Sequence, residues 1–215
     1  MFTRLESKLR EFVLNATRDR ATSHGWIHMK SVAETSKKIM ADMELPPKQQ
    51  RHILTVAWLH DVADHKYDKD GSLRKLMSYF ICELYPDNYK NVIECIDSIS
   101  FSRETKLGYK YYENYLAPYW LLVRNVVSDA DKIEAIGING LIRCRDYTQE
   151  VSNVKLDDEA LLKDVWKHSQ EKLLLLYKSY IHTDKGKQIA RPLHEDMIRW
   201  FISQGISEEQ LKKFV

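Results

Sequence analysis

Apolar residues recur along this chain at spacings of three and four, with almost no strict alternation, so the pattern predicts helices nearly throughout. Leu5, Leu9, Phe12, Val13 and Ala16 mark a first amphipathic helix over residues 2–18. Gly25 then permits a turn, and Val32, Ile39 and Met43 form the stripe of a second helix over 28–43, stopped by Pro46-Pro47. The third helix, about 49–64, differs: Ile53 through Leu59 is apolar apart from Thr55, which suits a helix covered on every side. Helices follow at 73–84, stopped before Pro86, and at 88–99, after which Ser100 opens a polar loop. Leu121 to Ile133 is again apolar, and 157–180 reads as one extended helix capped by Asp157 or Asp158. A further helix, capped by Thr183 or Asp184, closes at Gly205, and Ser207-Glu208-Glu209-Gln210 has the character of a capping box. The fold class expected is all-α, a helical bundle forming one domain over 1–215, with its core at about 24–145 and a C-terminal helical part at about 157–215.

Composition narrows the function. At 215 residues and 44% hydrophobic content the chain can bury a real core, and 7 Gly with 5 Pro is too few for a turn-rich β-sandwich. The 33 basic residues nearly cancel the 31 acidic ones, and no long run of either sign occurs, which argues against a dedicated nucleic-acid surface. No apolar run approaches the roughly 20 residues of a membrane span. The charged start, Thr3-Arg4-Leu5-Glu6, lacks the apolar core of a signal peptide. Cys82, Cys95 and Cys144 are odd in number and far apart, so each reads as a small core residue in a reducing, cytoplasmic setting, and a cysteine-based zinc site is not expected. The aromatics between Tyr109 and Trp120 read as packing rather than a ligand platform.

The chemistry gathers where apolar runs end in charge. His60 and Asp61 close the buried third helix, and burying an imidazole beside a carboxylate costs several kcal/mol unless something pairs with both. A divalent cation would do so. A single His-Asp pair is common by chance, so the reading depends on distant segments supplying more ligands. Stepping back four from Val32 lands on His28, and Val123, Val127 and Asp131 fall on one line at spacing four. Asp129 sits about 200° from Asp131 on a helical wheel and is read as solvated or capping. Four inward-facing candidates, His28, His60, Asp61 and Asp131, thus come from three helices, which places a metal site between helices. Two imidazoles and two carboxylates suit Mn2+, Mg2+, Co2+, Ni2+, Fe2+ or Zn2+, and a six-coordinate ion would keep positions open for water and substrate.

These residues resemble the H...HD...D signature of the HD superfamily of metal-dependent phosphohydrolases. The resemblance runs from His24 to about Trp200. Several blocks look like a bacterial-type subgroup of nucleotide pyrophosphohydrolases: 24–28, 59–66, Ile99-Ser100-Phe101-Ser102, 128–140 and 168–190. The chain departs from the pattern at Ser31, where the family usually has arginine, and at Gly25, often acidic. The resemblance implies His28, His60, Asp61 and Asp131 as metal ligands, with Mn2+ the first expectation. It implies a hydrolase that releases monophosphate and pyrophosphate from a nucleoside triphosphate. A nucleoside 5'-monophosphate phosphatase is the enzymatic alternative, and a non-catalytic metal- and nucleotide-binding regulatory module the alternative of another class.

Around that centre, Asp64 lies one turn from Asp61, placed either as general base or as partner of a ligand histidine. Lys66, Arg103, Arg143 and Lys172 are candidates for phosphoryl charge, each weighed against an ordinary surface cation, with Lys66 foremost because it adjoins the site. His24 is read as a substrate contact or a turn residue. His168 shares a face with Lys172 at spacing four, and His52, His182 and His194 read as structural. The partner expected is a small phosphate substrate, a nucleotide, with no membrane. The oligomeric state is left open, a homodimer included.

Overall fold

The computed structural model describes residues 3–20, 25–151 and 157–215, and every regular element among them is helical, which bears out the all-α class. The chain divides into two compact units, Met1–Ala130 and Asp131–Val215, and the division falls inside one unbroken helix.

The first unit holds α1 (Thr3–Ala16), α2 (Trp26–Met40), α3 (Pro47–Leu59), α4 (Ser72–Leu84), α5 (Tyr89–Asp97), α6 (Phe101–Leu107) and most of α7 (Pro118–Ala135). α3 is the central rod: Gln49 and every residue from His52 to Leu59 are buried, and α1, α2 and α5 pack on it. Pro47 opens α3, where its fixed φ suits the first turn and its missing N–H costs nothing. The helix stops at Leu59 rather than running on to Asp64 as the sequence predicts. Residues 60–63 form a tight turn, in which the Val62 N–H reaches the Leu59 carbonyl at 3.1 Å. His60 and Asp61 therefore leave the helix axis at its end.

The polar loop expected from Ser100 is instead α6. Ser100 caps it by accepting from the Arg103 N–H, and its one buried residue is Glu104. The pattern hides this helix because its inward side carries a charge. Glu104 Oε2 accepts from Arg124 Nη2 at 3.1 Å, both side chains being fully buried. Arg124 also donates to the Ser98 carbonyl from Nε and Nη2, at 3.1 and 3.0 Å, and its guanidinium lies 3.6 Å from the Tyr112 ring centre. One buried cation thus ties α5, α6 and α7 together. Of the cysteines only Cys95 is buried; Cys82 is exposed, since α4 turns Met77 and Ile81 inward instead.

The second unit continues from α7 into α8 (Gly137–Val151), α9 (Asp158–His168), α10 (Asp184–Ser203) and α11 (Glu208–Leu211), with α8 packed on α9 and α10. Residues 157–180 do not make one regular helix: Ser169–Leu173 and Leu176–Tyr180 are wound as π-turns. Asp157 caps α9, Thr183 caps α10, and Ser207 with Gln210 forms the reciprocal capping box of α11. At the first residue of α8, Gly137 takes φ 80°, a left-handed value that favours glycine.

Candidate metal centre

His28 projects from the first turn of α2, the helix that buries Met29, Val32 and Ala33 against its neighbours. Its Nε2 lies 3.2 Å from Nε2 of His60, the first residue beyond α3. The two rings meet edge to face, with centroids 5.2 Å apart. Asp61 Oδ2 faces both, 3.7 Å from His28 Nε2 and 3.8 Å from His60 Nε2. Asp131 follows directly on the last residue of the first unit, on the same uninterrupted α7. His28, His60 and Asp131 each offer one ligand atom, and these atoms lie within 4.8 Å of one another.

This donor set fits a divalent cation. The His60 side chain is almost wholly buried, and its Nδ1 sits 2.8 Å from the Ala57 carbonyl. A carbonyl only accepts, so Nδ1 carries the hydrogen, and Nε2, on the side of His28 and Asp61, is the atom that would bind a cation. Two nitrogens held at about 2.1 Å from one ion at right angles stand about 3 Å apart, close to the observed separation. Mixed imidazole and carboxylate donors are the ordinary set for first-row divalent metals.

The turn that carries His60 and Asp61 is held from outside. Arg20 Nη1 donates to the Asp61 carbonyl at 2.8 Å, and Nη2 donates to the Val62 carbonyl. The guanidinium stacks 4.4 Å from the Tyr67 ring centre. Burial pushes the Arg20 pKa below its usual value, while Tyr67, Asp61, Asp64 and Asp68 work against that shift. Periodicity gives no sign of Arg20, because it lies in an irregular polar stretch beyond α1. Asp64 sits in the same turn region, where its Oδ1 accepts from the Lys66 N–H at 2.8 Å. The Lys66 side chain is exposed. A groove of about 520 Å³ runs beside this turn, lined by Phe12, Ala16, Arg20, Tyr67, Leu73 and Leu76 among others.

Asp129 is corrected by the structure: it is fully buried rather than solvated, as are Ser128 and Ala130 beside it, and Lys132 is 2% exposed. This part of α7 has no solvent face for a helical wheel to assign. Arg103 is exposed, 3.8 Å from Asp97, whose carboxylate is already clasped by both Nη atoms of Arg74 at 2.6 Å. Arg143 is half-buried on α8. His168 ends α9; partial burial first, and then the Lys172 charge, hold its imidazole below the usual histidine value. His24 lies outside the described residues. His52 and His194 are buried, consistent with structural roles.

The all-α fold resembles that of solved structures, one of them an HD-superfamily hydrolase. The chain is similar to this hydrolase, from Bacillus thuringiensis, with a TM-score of 0.69 and 24% identity over 95% of this chain and 96% of that one. A Lactobacillus plantarum structure matches with a TM-score of 0.68 and 23% identity over 95% of both chains. Bacillus subtilis YpgQ, solved in complex with ADP, matches with a TM-score of 0.63 and 20% identity over 94% of this chain and 95% of that one. In sequence, the uncharacterized protein YpgQ of Bacillus subtilis (strain 168) is 24% identical over 206 residues, 90% of this chain and 88% of its own length. No family model matches the chain. No helix among the described residues is long and apolar enough to cross a membrane.

Proposed function

We propose that this protein is a metal-dependent phosphohydrolase of nucleotides that cleaves nucleoside triphosphates between the α and β phosphates, releasing monophosphate and pyrophosphate. The observation that carries the reading is the convergence of His28 Nε2, His60 Nε2 and Asp61 Oδ2 within 3.2 to 3.8 Å of one another, with Asp131 joining the two histidines. The sequence blocks that resemble nucleotide pyrophosphohydrolases support the triphosphate, and the ADP complex of YpgQ supports a nucleotide ligand. The ligands are His28, His60, Asp61 and Asp131, Mn2+ is the cation proposed first, and the whole chain acts as one cytoplasmic domain.

A divalent cation held there supplies Lewis acidity and a bound water that ionises near neutral pH. The chain's own groups do the rest. With Oδ1 engaged by the Lys66 N–H, Asp64 presents Oδ2 to orient the attacking water and take its proton. Water oxygen bonds to the α phosphorus, the bond from that phosphorus to the bridging oxygen breaks, and pyrophosphate leaves. Lys66, Arg103, Arg143, His168, Lys172 and His24 are the residues proposed to meet the substrate, cations chief among them because charge spreads over the phosphoryl oxygens. The groove beside Arg20 and Tyr67, about 520 Å³, falls in the size range of small-molecule sites and is proposed to take the nucleoside.

The test is to incubate the Mn2+-loaded full chain with nucleoside mono-, di- and triphosphates and separate the products. Pyrophosphate and monophosphate from triphosphates are expected. Inorganic phosphate from monophosphates would make it a nucleotidase. Stoichiometric metal with no hydrolysis across the panel would make it a regulatory module.

A further inference from the structure

In the turn after α3, two of the four metal-ligand candidates depend on a residue distant in sequence. Backbone carbonyls at and just beyond a helix C-terminus have no partner within the helix and must find one elsewhere. Here the Ala57 carbonyl is taken by the His60 ring and the Leu59 carbonyl by the Val62 N–H. Beyond His60, the carbonyls of Asp61 and Val62 are both met by the planar fork of Arg20, 41 and 42 positions earlier, and the Asp61 carbonyl accepts also from the Asp64 N–H at 3.3 Å. A guanidinium bridging consecutive carbonyls fixes both the twist and the tilt of the peptide between them, which an ammonium cannot do. That peptide joins Asp61 to Val62, so it governs where the Asp61 carboxylate points. The Tyr67 ring centre lies 4.4 Å from the guanidinium carbon, so the clamp is itself braced by the segment that follows the turn.

We infer that Arg20 is a positioning residue for the metal centre: by clamping the Asp61 and Val62 carbonyls it holds Asp61 Oδ2 against His28 and His60. The inference rests on the metal centre proposed above but not on the reaction, because cation affinity reads it without any nucleotide. Charge and positioning push affinity in opposite directions. A cation close to Asp61 disfavours a second cation by simple repulsion, so if Arg20 acted only as a charge its removal would tighten metal binding. If it acts as a clamp, removal loosens binding, and groups that orient metal ligands are commonly worth about 10- to 100-fold in affinity.

The experiment is calorimetric titration of the chelator-stripped full chain with Mn2+ for wild type, Arg20→Ala and Arg20→Lys, alongside thermal melts of the same metal-free samples. We expect both variants to bind Mn2+ at least about tenfold more weakly. Arg20→Lys is included because it keeps the charge and the stem while losing the fork, and it decides the matter if Arg20→Ala does not fold. Wild-type affinity in Arg20→Lys, or tighter binding in Arg20→Ala, overturns the inference. So does a lowered metal-free melting temperature with unchanged affinity, which would make the arginine a fold staple only. Absence of Mn2+ binding by the wild type would overturn it together with the metal centre, whereas failure to hydrolyse nucleotides would leave it standing.

Discussion

Nε2 of His28 and Nε2 of His60 stand 3.2 Å apart although the two residues are 32 positions apart in the chain, His28 on α2 and His60 in the turn after α3. His60 is oriented for this by its bond to the Ala57 carbonyl, and Asp61 Oδ2 sits across the pair. Bringing two imidazole nitrogens and a carboxylate oxygen together with most of their water removed is costly unless positive charge is shared among them. The arrangement therefore suits a shared divalent cation.

Asp61 and Asp64 separate by role. Asp61→Ala is expected to abolish both Mn2+ retention and turnover, since it deletes an oxygen that faces both histidines. Asp64→Ala should keep the metal and lower kcat by about 100- to 10,000-fold, the usual contribution of a general base. Metal content after gel filtration, measured beside kcat, distinguishes the two. Equal metal loss in both variants would move Asp64 into the coordination sphere.

Periodicity made the helices with apolar faces legible, and it made α3 legible as a fully covered rod. What it left out has physical causes. α6 is missing from the pattern because its inward residue is Glu104, a charge satisfied by another buried charge. The two glycines at the start of α8 carry no apolar periodicity, and there Gly137 takes a left-handed φ while Gly140 is needed for close packing inside the helix. The wheel separated Asp129 from Asp131 by assuming a solvent side that α7 does not have. At the centre, the four ligand candidates could be read from apolar lines, while Arg20 could not, since a contact spanning 41 positions from an irregular segment leaves no periodic trace.

The buried Arg124–Glu104 pair makes a stability prediction. Glu104→Ala leaves the Arg124 guanidinium fully enclosed without its counter-charge, and breaking such a pair from one side costs about 3 to 5 kcal/mol. The double variant Arg124→Met with Glu104→Leu should recover much of this, because apolar replacement removes both desolvated charges at once. Urea midpoints of the single and double variants give the coupling. A single-variant loss below about 1 kcal/mol would mean that water reaches the pair on removal of one partner.

Gly140 is held by geometry rather than by turn conformation. A Cβ there would collide with the Ala135 carbonyl oxygen and stand 2.8 Å from its carbon, and backbone cannot yield as a flexible side chain would. Gly140→Ala should therefore cost about 2 kcal/mol or more, against the ordinary gain of alanine over glycine in a helix. Gly205→Ala, strained by φ 87° but with open space around its Cβ, serves as a control in which only the conformational penalty applies. Thermal melts that rank Gly140→Ala no worse than Gly205→Ala would overturn the steric account.

His52 sets a pH dependence that can be worked out with its sign. The ring is buried, stacks on Trp120 at 4.6 Å, and has Nδ1 2.9 Å from the Tyr119 hydroxyl. Burial first, and then the Lys48 and Arg51 charges, hold its pKa down to about 4 from the usual 6.5. Between those values the unfolded chain takes up a proton that the folded chain refuses. Stability is thus complete above about pH 6.5 and falls as the pH drops toward 4, with a loss near pH 5 of about 2 kcal/mol from His52 alone. His194, whose pKa is lowered chiefly by burial, acts in the same direction. In chelator, so that the metal ligands do not contribute through cation binding, urea midpoints at pH 7 and pH 5 should differ less for His52→Gln than for the wild type. The reason is that glutamine has no proton to gain in the unfolded state, so whatever acid sensitivity persists in that variant belongs to His194 and the carboxylates, and an undiminished difference would remove His52 from the account.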